Sequence, residues 1–274
     1  MAGEPWDPIE RDKRYRNAKN DGLTRLLSEG DSWFDYPPHP NIIDWLEAEG
    51  RWAIKRLEKS GDTVENMSSD ANLSLIETLA SREQPVAFLF SGGGNDLFTP
   101  IPEKPKLKWI WRALNDHAAG MTAADHVNRF AWAGKLNDIR GGYLRILERV
   151  SPFAPTIAHG YDYLIASGEK VLYDGFRAAG PWIRLSMLDR GITDDQLQQD
   201  ILRIFINDFN DMLAALQADH PDHLIHVDLR GELDPKTDWM NELHPTEDGF
   251  RQIAQRFIQA IDQRLPLLGQ GAVA

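Results

Sequence analysis

Three short stretches carry residue types that could do chemistry together: Gly30-Asp31-Ser32 in "LLSEGDSWFDYP", the run "SGGGNDLF" from Ser91 to Phe98, and His244 in "NELHPTEDGF". A serine hydroxyl becomes a nucleophile when a neutral imidazole accepts its proton. The charge that then develops on an attacked carbonyl needs fixed N–H donors. Ser32 supplies the hydroxyl, and His244 supplies the imidazole on a short turn just before Pro245 opens the last helix. Gly92, Gly93 and Gly94 permit a backbone path that a Cβ would obstruct, which brings the Asn95 amide forward as a donor. Each signal alone has an ordinary reading: Gly-Asp-Ser as a tight turn with a serine helix cap, and His244 as a surface or capping histidine. The glycine run could cradle phosphate, but it lacks the lysine of a P-loop and does not read G-x-G-x-x-G. Their occurrence together, each at the end of an expected strand, favours the catalytic reading.

The elements that must position these residues alternate between strand and helix. "TRLLSEG", "WAIKRLE", "PVAFLF", "TIAHG" and "HLIHVDL" read as strands; Pro85 to Phe90 is the clearest, being short, apolar and bounded by proline and glycines. "NIIDWLEAE", "DANLSLIETLAS" and "DDQLQQDILRIFINDFNDMLAAL" read as helices. After Pro245, the residues Phe250, Ile253, Ala254, Phe257, Ile258 and Ile261 form one helical stripe. Such alternation implies βαβ units, an α/β protein whose parallel sheet lies between helices. Ligands in such folds bind beyond the carboxyl ends of the strands, where the turns after Glu29 and Phe90, near His159 and after Val227 fall.

The composition is that of one soluble globular domain: 274 residues, 42% hydrophobic and 26% charged, with no repeat and no apolar run near the ~20 residues of a membrane span. A net charge of -12 repels phosphate backbones and anionic lipid, so neither nucleic acid nor stable membrane insertion is expected. Cysteine is absent, which excludes thiol chemistry, disulfides and cysteine-held metal. The charged stretch "MAGEPWDPIERDKRYRNAKN" lacks the apolar core of a secretory signal, and a cytoplasmic location is the expectation.

At these motifs the chain resembles the SGNH/GDSL hydrolases, an esterase and lipase family with four blocks carrying a serine, an oxyanion glycine, an oxyanion asparagine and a histidine. "GDSWFD" matches the first block with Ser32, "SGDTVENM" resembles the second with Gly61, "GGGNDL" matches the third with Asn95, and "NELHPT" matches the last with His244. The resemblance implies a flavodoxin-like three-layer α/β/α fold with about five parallel strands and helical insertions. It also implies hydrolysis of carboxylic esters, or removal of acyl groups, through Ser32 and His244. The oxyanion hole would be formed by the Ser32 and Gly61 amides and the Asn95 side chain. The substrate would be a small-molecule ester, with no cofactor and no metal.

The family's last block usually has Asp three residues before His, and here that position is Asn241. A dyad of Ser32 and His244 assisted by Asn241 or by a backbone carbonyl is expected, with Asp238 and Glu242 as flanking substitutes. Glu29 is a carboxylate in a strand position that is normally apolar. Two segments, about 99–142 and 161–192, read as lid-like insertions into a single domain spanning 1–274. His159, Tyr161 and Trp33 are the candidate substrate-binding residues. Two other readings compete. Asp31, Asp35, Asn95, Asp96, His159 and His244 loosely match a metal-dependent phosphoesterase. The loss of the acid at Asn241 would equally suit a non-catalytic binding module on the same fold.

Overall fold

The computed structural model describes residues 7–173 and 177–269. The first six residues of the N-terminal stretch and residues 174–176 of the second insertion lie outside the described residues. Five strands form one sheet: β1 (Thr24–Gly30), β2 (Trp52–Arg56), β3 (Ala87–Ser91), β4 (Thr156–His159) and β5 (Leu224–Val227). All pair in parallel, in the order β2-β1-β3-β4-β5. Leu26 stands opposite Ile54 and Ala87, and Ile157 opposite Leu89 and Ile225. The strands are apolar because both faces of a parallel sheet are covered: β3 is buried throughout and β1 from Leu26 onward. The chain leaves β1 for the edge strand β2, crosses back to β3 and continues outward. That reversal opens a crevice at the carboxyl ends of β1 and β3, where Ser32 and the glycine run emerge.

On one face α2 (Ile42–Ala48), opened by a capping box of Asn41 and Asp44, packs against α9 (Glu247–Gly269). On the other lie α4 (Asp70–Glu83), α6 (Arg129–Val150) and α8 (Asp195–Asp219). The apolar stripe of α9 from Phe250 to Ile261 is buried, as its period requires. A further helix, α1 (Pro8–Asn20), packs against β2 and buries Tyr15, whose hydroxyl donates to Glu83. Short helices α3 (Val64–Met67), α5 (Gly94–Phe98) and α7 (Arg184–Asp189) complete the connections.

The segment 99–142 divides at Asn128. Before it come a hairpin, Pro100–Ile101 with Lys104–Lys108, and two 3-10 turns, Trp109–Ala113 and Ala124–His126. From Arg129 onward it is not insertion but the start of α6, a layer helix that buries Trp132, Ile139, Tyr143 and Ile146. Gly141 and Gly142 obscure that helix in the sequence, because glycine disfavours helix interiors. Gly142 earns its place by contact: a Cβ there would stand 2.2 Å from Val64 Cγ1 on α3. The segment 161–192 holds a small hairpin, Val171–Tyr173 with Arg177–Ala179, and α7.

Glu29 is buried in β1 and accepts the Gly30 N–H at 2.8 Å. Burial, reinforced by the charges of Glu58 and Asp62, pushes its carboxyl up to about 8. A carboxyl that binds its proton more tightly in the folded chain adds stability that is complete below the unfolded pKa of about 4, and that is lost as pH rises through the folded value. Glu29→Gln removes this dependence. Relative to wild type, its unfolding free energy rises by about 1.4 kcal/mol per pH unit between about pH 5 and about pH 8. Urea denaturation across that range measures the difference, and parallel pH slopes for the two proteins would contradict the assigned environment.

Candidate active site

β1 ends at Gly30 because the chain there touches β3: a Cβ at Gly30 would stand 2.9 Å from both Cβ and the carbonyl oxygen of Ser91. Asp31 N–H donates to that carbonyl at 3.0 Å, and the N–H groups of Phe34 and Asp35 return to the Asp31 carbonyl. The chain therefore turns sharply, with Ser32 on the turn. His244 reaches the same place on a second turn, closed by Met240 N–H donating to the His244 carbonyl at 3.0 Å. Trp33 ties the two loops, its Nε1–H donating to the Leu243 carbonyl at 2.9 Å.

Ser32 Oγ lies 2.8 Å from His244 Nε2, and His244 Nδ1 lies 3.0 Å from Asn241 Oδ1. Asn241 fixes the tautomer. Its Oδ1 also accepts the backbone N–H groups of Leu243 and His244, each at 3.0 Å, so that atom is the amide oxygen and His244 Nδ1 carries the proton. Nε2 is then the acceptor facing the Ser32 hydroxyl. The Asn241 Nδ2 group donates to the Tyr36 hydroxyl at 3.2 Å, and the Tyr36 ring stacks on the imidazole with centroids 4.3 Å apart. Burial, with a smaller push from His39, lowers the His244 imidazole to about 3, which keeps it neutral at physiological pH.

Neither flanking carboxylate replaces Asn241. Asp238 accepts from Asp234 N–H at 2.9 Å and from Gln252 Nε2 at 3.2 Å. Glu242 accepts the backbone N–H groups of Gly168, Trp182, Ile183 and Arg184, and so clasps the segment that sets the Trp182 ring 5.6 Å from His244.

Near Ser32 the glycine run turns at Gly93, with φ +117°, where a Cβ would meet the Phe209 ring at 2.6 Å. Ser32, Trp33, Asn95 and Tyr161 line one cavity. Asn95 Nδ2 donates to the Asp62 carbonyl at 3.0 Å, which holds the amide against the loop after β2, and an amide NH2 has a second hydrogen to offer. Gly61, with φ +85°, lies in the exposed turn of that loop and outside the cavity wall.

His159 does not line the cavity beside Ser32, contrary to the sequence expectation of a substrate-binding residue. It is fully buried at the end of β4, stacked on Trp33 at 5.0 Å and outside the cavity wall. Its Nδ1 accepts Tyr161 N–H at 3.2 Å, so Nε2 bears the hydrogen and donates to Ser91 Oγ at 2.8 Å; Ser91 donates onward to Asp31 at 2.7 Å. Tyr161, held at φ +63°, donates its hydroxyl to the other Asp31 oxygen and accepts Gly94 N–H at 3.0 Å. Asp31 thus gathers donors from β3, from the loop after β4 and from Trp33 N–H in its own turn. Burial pushes its carboxyl up to about 6 against the pull of these bonds. Asp96 caps the start of α3 by accepting Val64 and Glu65 N–H. Among the described residues no three histidines or carboxylates gather in a metal-holding group. Tyr36, Ser91 and Trp182 escaped the sequence reading; the one signal was Ser91, a polar residue closing an apolar strand.

Tyr161→Phe removes a donor and an acceptor together, leaving Gly94 N–H and one Asp31 oxygen without a partner in a buried setting. The expected loss is about 1–3 kcal/mol of unfolding free energy. Tyr163→Phe breaks a half-buried bond to Asn207 and is expected to cost less than about 1 kcal/mol. Urea denaturation separates the two, and equal, small effects would contradict the network.

No known family profile matches the sequence, and no curated protein is similar to it in sequence. Similarity appears among solved structures. One is a lipase from the goat rumen metagenome, 14% identical over 87% of this chain and 97% of that one, with a TM-score of 0.55. Another is a candidate SGNH hydrolase from Slackia heliotrinireducens, 11% identical over 86% and 98%, with a TM-score of 0.50. A third is a gut microbial diltiazem-metabolizing enzyme, 13% identical over 88% of this chain but 47% of that one, with a TM-score of 0.50. At these identities the likeness is one of fold. The chain has the flavodoxin-like three-layer α/β/α fold of the SGNH hydrolases.

Proposed function

We propose that the chain hydrolyses carboxylic esters through Ser32 as nucleophile and His244 as general base. The observation that carries this reading is the 2.8 Å contact of Ser32 Oγ with the unprotonated nitrogen of a histidine whose other nitrogen is held by Asn241. Ser32 Oγ bonds to the ester carbonyl carbon while its proton passes to His244 Nε2, and the carbonyl oxygen becomes an oxyanion. The Ser32 amide and the second Asn95 N–H, both from residues in the cavity wall, are the donors for that charge, with the Gly61 amide of the adjoining loop as the third; the Asp62 carbonyl supports this role for Asn95 by keeping its amide in one orientation. As the bond to the alkoxy oxygen breaks, His244 gives its proton to the departing alcohol. Water then attacks the acyl-serine ester, His244 takes the water proton and returns it to Ser32, and the carboxylic acid leaves. Asn241 orients the imidazole without supplying a countercharge, so the imidazolium is stabilised less than it would be beside a carboxylate.

Ser32→Ala is expected to abolish labelling by a serine-directed fluorophosphonate, read by intact-protein mass spectrometry. Asn95→Ala is expected to lower kcat by about two to three orders of magnitude, the usual effect of one lost oxyanion donor. Asn241→Asp is expected to remain active. Its carboxylate favours the protonated imidazole, so the His244 pKa rises and the acid limb of kcat/KM moves to higher pH. A folded, inactive Asn241→Asp protein would sink the assignment of Asn241.

A further inference from the structure

The cavity beside Ser32 is lined mostly by carbon, with Ser32, Asn95, Asp31 and Tyr161 among the few polar residues in its wall. Leu202, Phe205 and Ile206 of α8 line it together with Phe98 at the end of α5 and Ile110 of the insertion. Leu202 and Ile206, like Phe205 and Phe209, are one helical turn apart on the same face of α8. Among the described residues no lysine, arginine or glutamate lines the cavity, and the one aspartate there, Asp31, is bonded to Tyr161 and Ser91. The volume open to the centre of a water-sized sphere is about 40 Å³. At about 10–15 Å³ per water, this is room for roughly three waters, which suits a short acyl chain better than a long one.

We propose that this cavity receives the acyl part of the ester and admits only short, uncharged acyl groups, with Leu202 and Ile206 limiting the length. The inference rests on Ser32 being the nucleophile, since the acyl carbon must sit at its Oγ. A charged acyl group would lose its hydration against carbon walls with no counter-ion, and a sugar would leave hydroxyls without partners. Each methylene that fits gains about fourfold in kcat/KM from burial, and a chain that overruns the wall loses about tenfold or more.

The test is kcat/KM for p-nitrophenyl esters from acetate to decanoate, with a constant leaving group, alongside fluorophosphonate labelling of Ser32. Wild type is expected to peak at propanoate or butanoate and to fall at least about tenfold by octanoate. Ile206→Ala and Leu202→Ala are expected to move the maximum to longer chains while labelling persists. A wild-type maximum at octanoate or beyond, or a flat profile, overturns the length limit even if Ser32 is labelled. A variant that is labelled but keeps the wild-type profile overturns the assignment of α8 as the limiting wall. Absence of labelling in wild type defeats the nucleophile reading itself, and the proposal with it.

Discussion

The crevice depends on one close approach. β1 runs so near to β3 that position 30 has no room for a Cβ, and the backbone of Asp31 bonds to the Ser91 carbonyl before the chain can turn. Ser32 owes its location to that contact, because a turn pinned at its base has few places to put the next side chain. The Asp31 carboxylate extends the pinning to the glycine loop through Tyr161 and to β4 through Ser91 and His159. Three strand ends are thereby held to one buried group, and 212 residues of separation between Ser32 and His244 reduce to 2.8 Å.

Burial sets the electrostatics of the same region. It lowers His244 and His159, so both imidazoles are neutral at pH 7, and it raises Glu29, Asp31 and Asp96. The two histidines have unlike environments despite the shared direction. His159 has both ring nitrogens engaged inside the core, whereas His244 turns its accepting nitrogen toward a hydroxyl at the cavity. Glu29 is mainly the neutral acid at pH 7.

The sheet was legible in the sequence because parallel strands buried on both faces read as short apolar runs, and "PVAFLF" could hardly be anything else. The motifs at the strand ends were legible because glycine, serine and histidine were placed where the chain must turn. α6 was hidden by its own glycines, which the sequence cannot distinguish from helix breakers until α3 is seen pressing on Gly142. The histidine's partner was undecided because Asp238, Asn241 and Glu242 lie within one short turn. The choice was made by backbone bonds between the residues of that turn and by the four N–H groups that occupy Glu242. His159 misled for a related reason: a histidine at a strand's carboxyl end reads as a site residue, and only its packing against Trp33 and Ser91 shows it to be a brace.

A crystal structure of the protein after reaction with an alkyl fluorophosphonate tests the central claim most directly, because the phosphoryl oxygen stands in for the oxyanion of the tetrahedral intermediate. The expected result is a bond from Ser32 Oγ to phosphorus, with that oxygen within about 3 Å of Ser32 N, Gly61 N and Asn95 Nδ2. His244 should remain against Asn241. An adduct elsewhere, or one at Ser32 whose phosphoryl oxygen points away from Asn95, would contradict it.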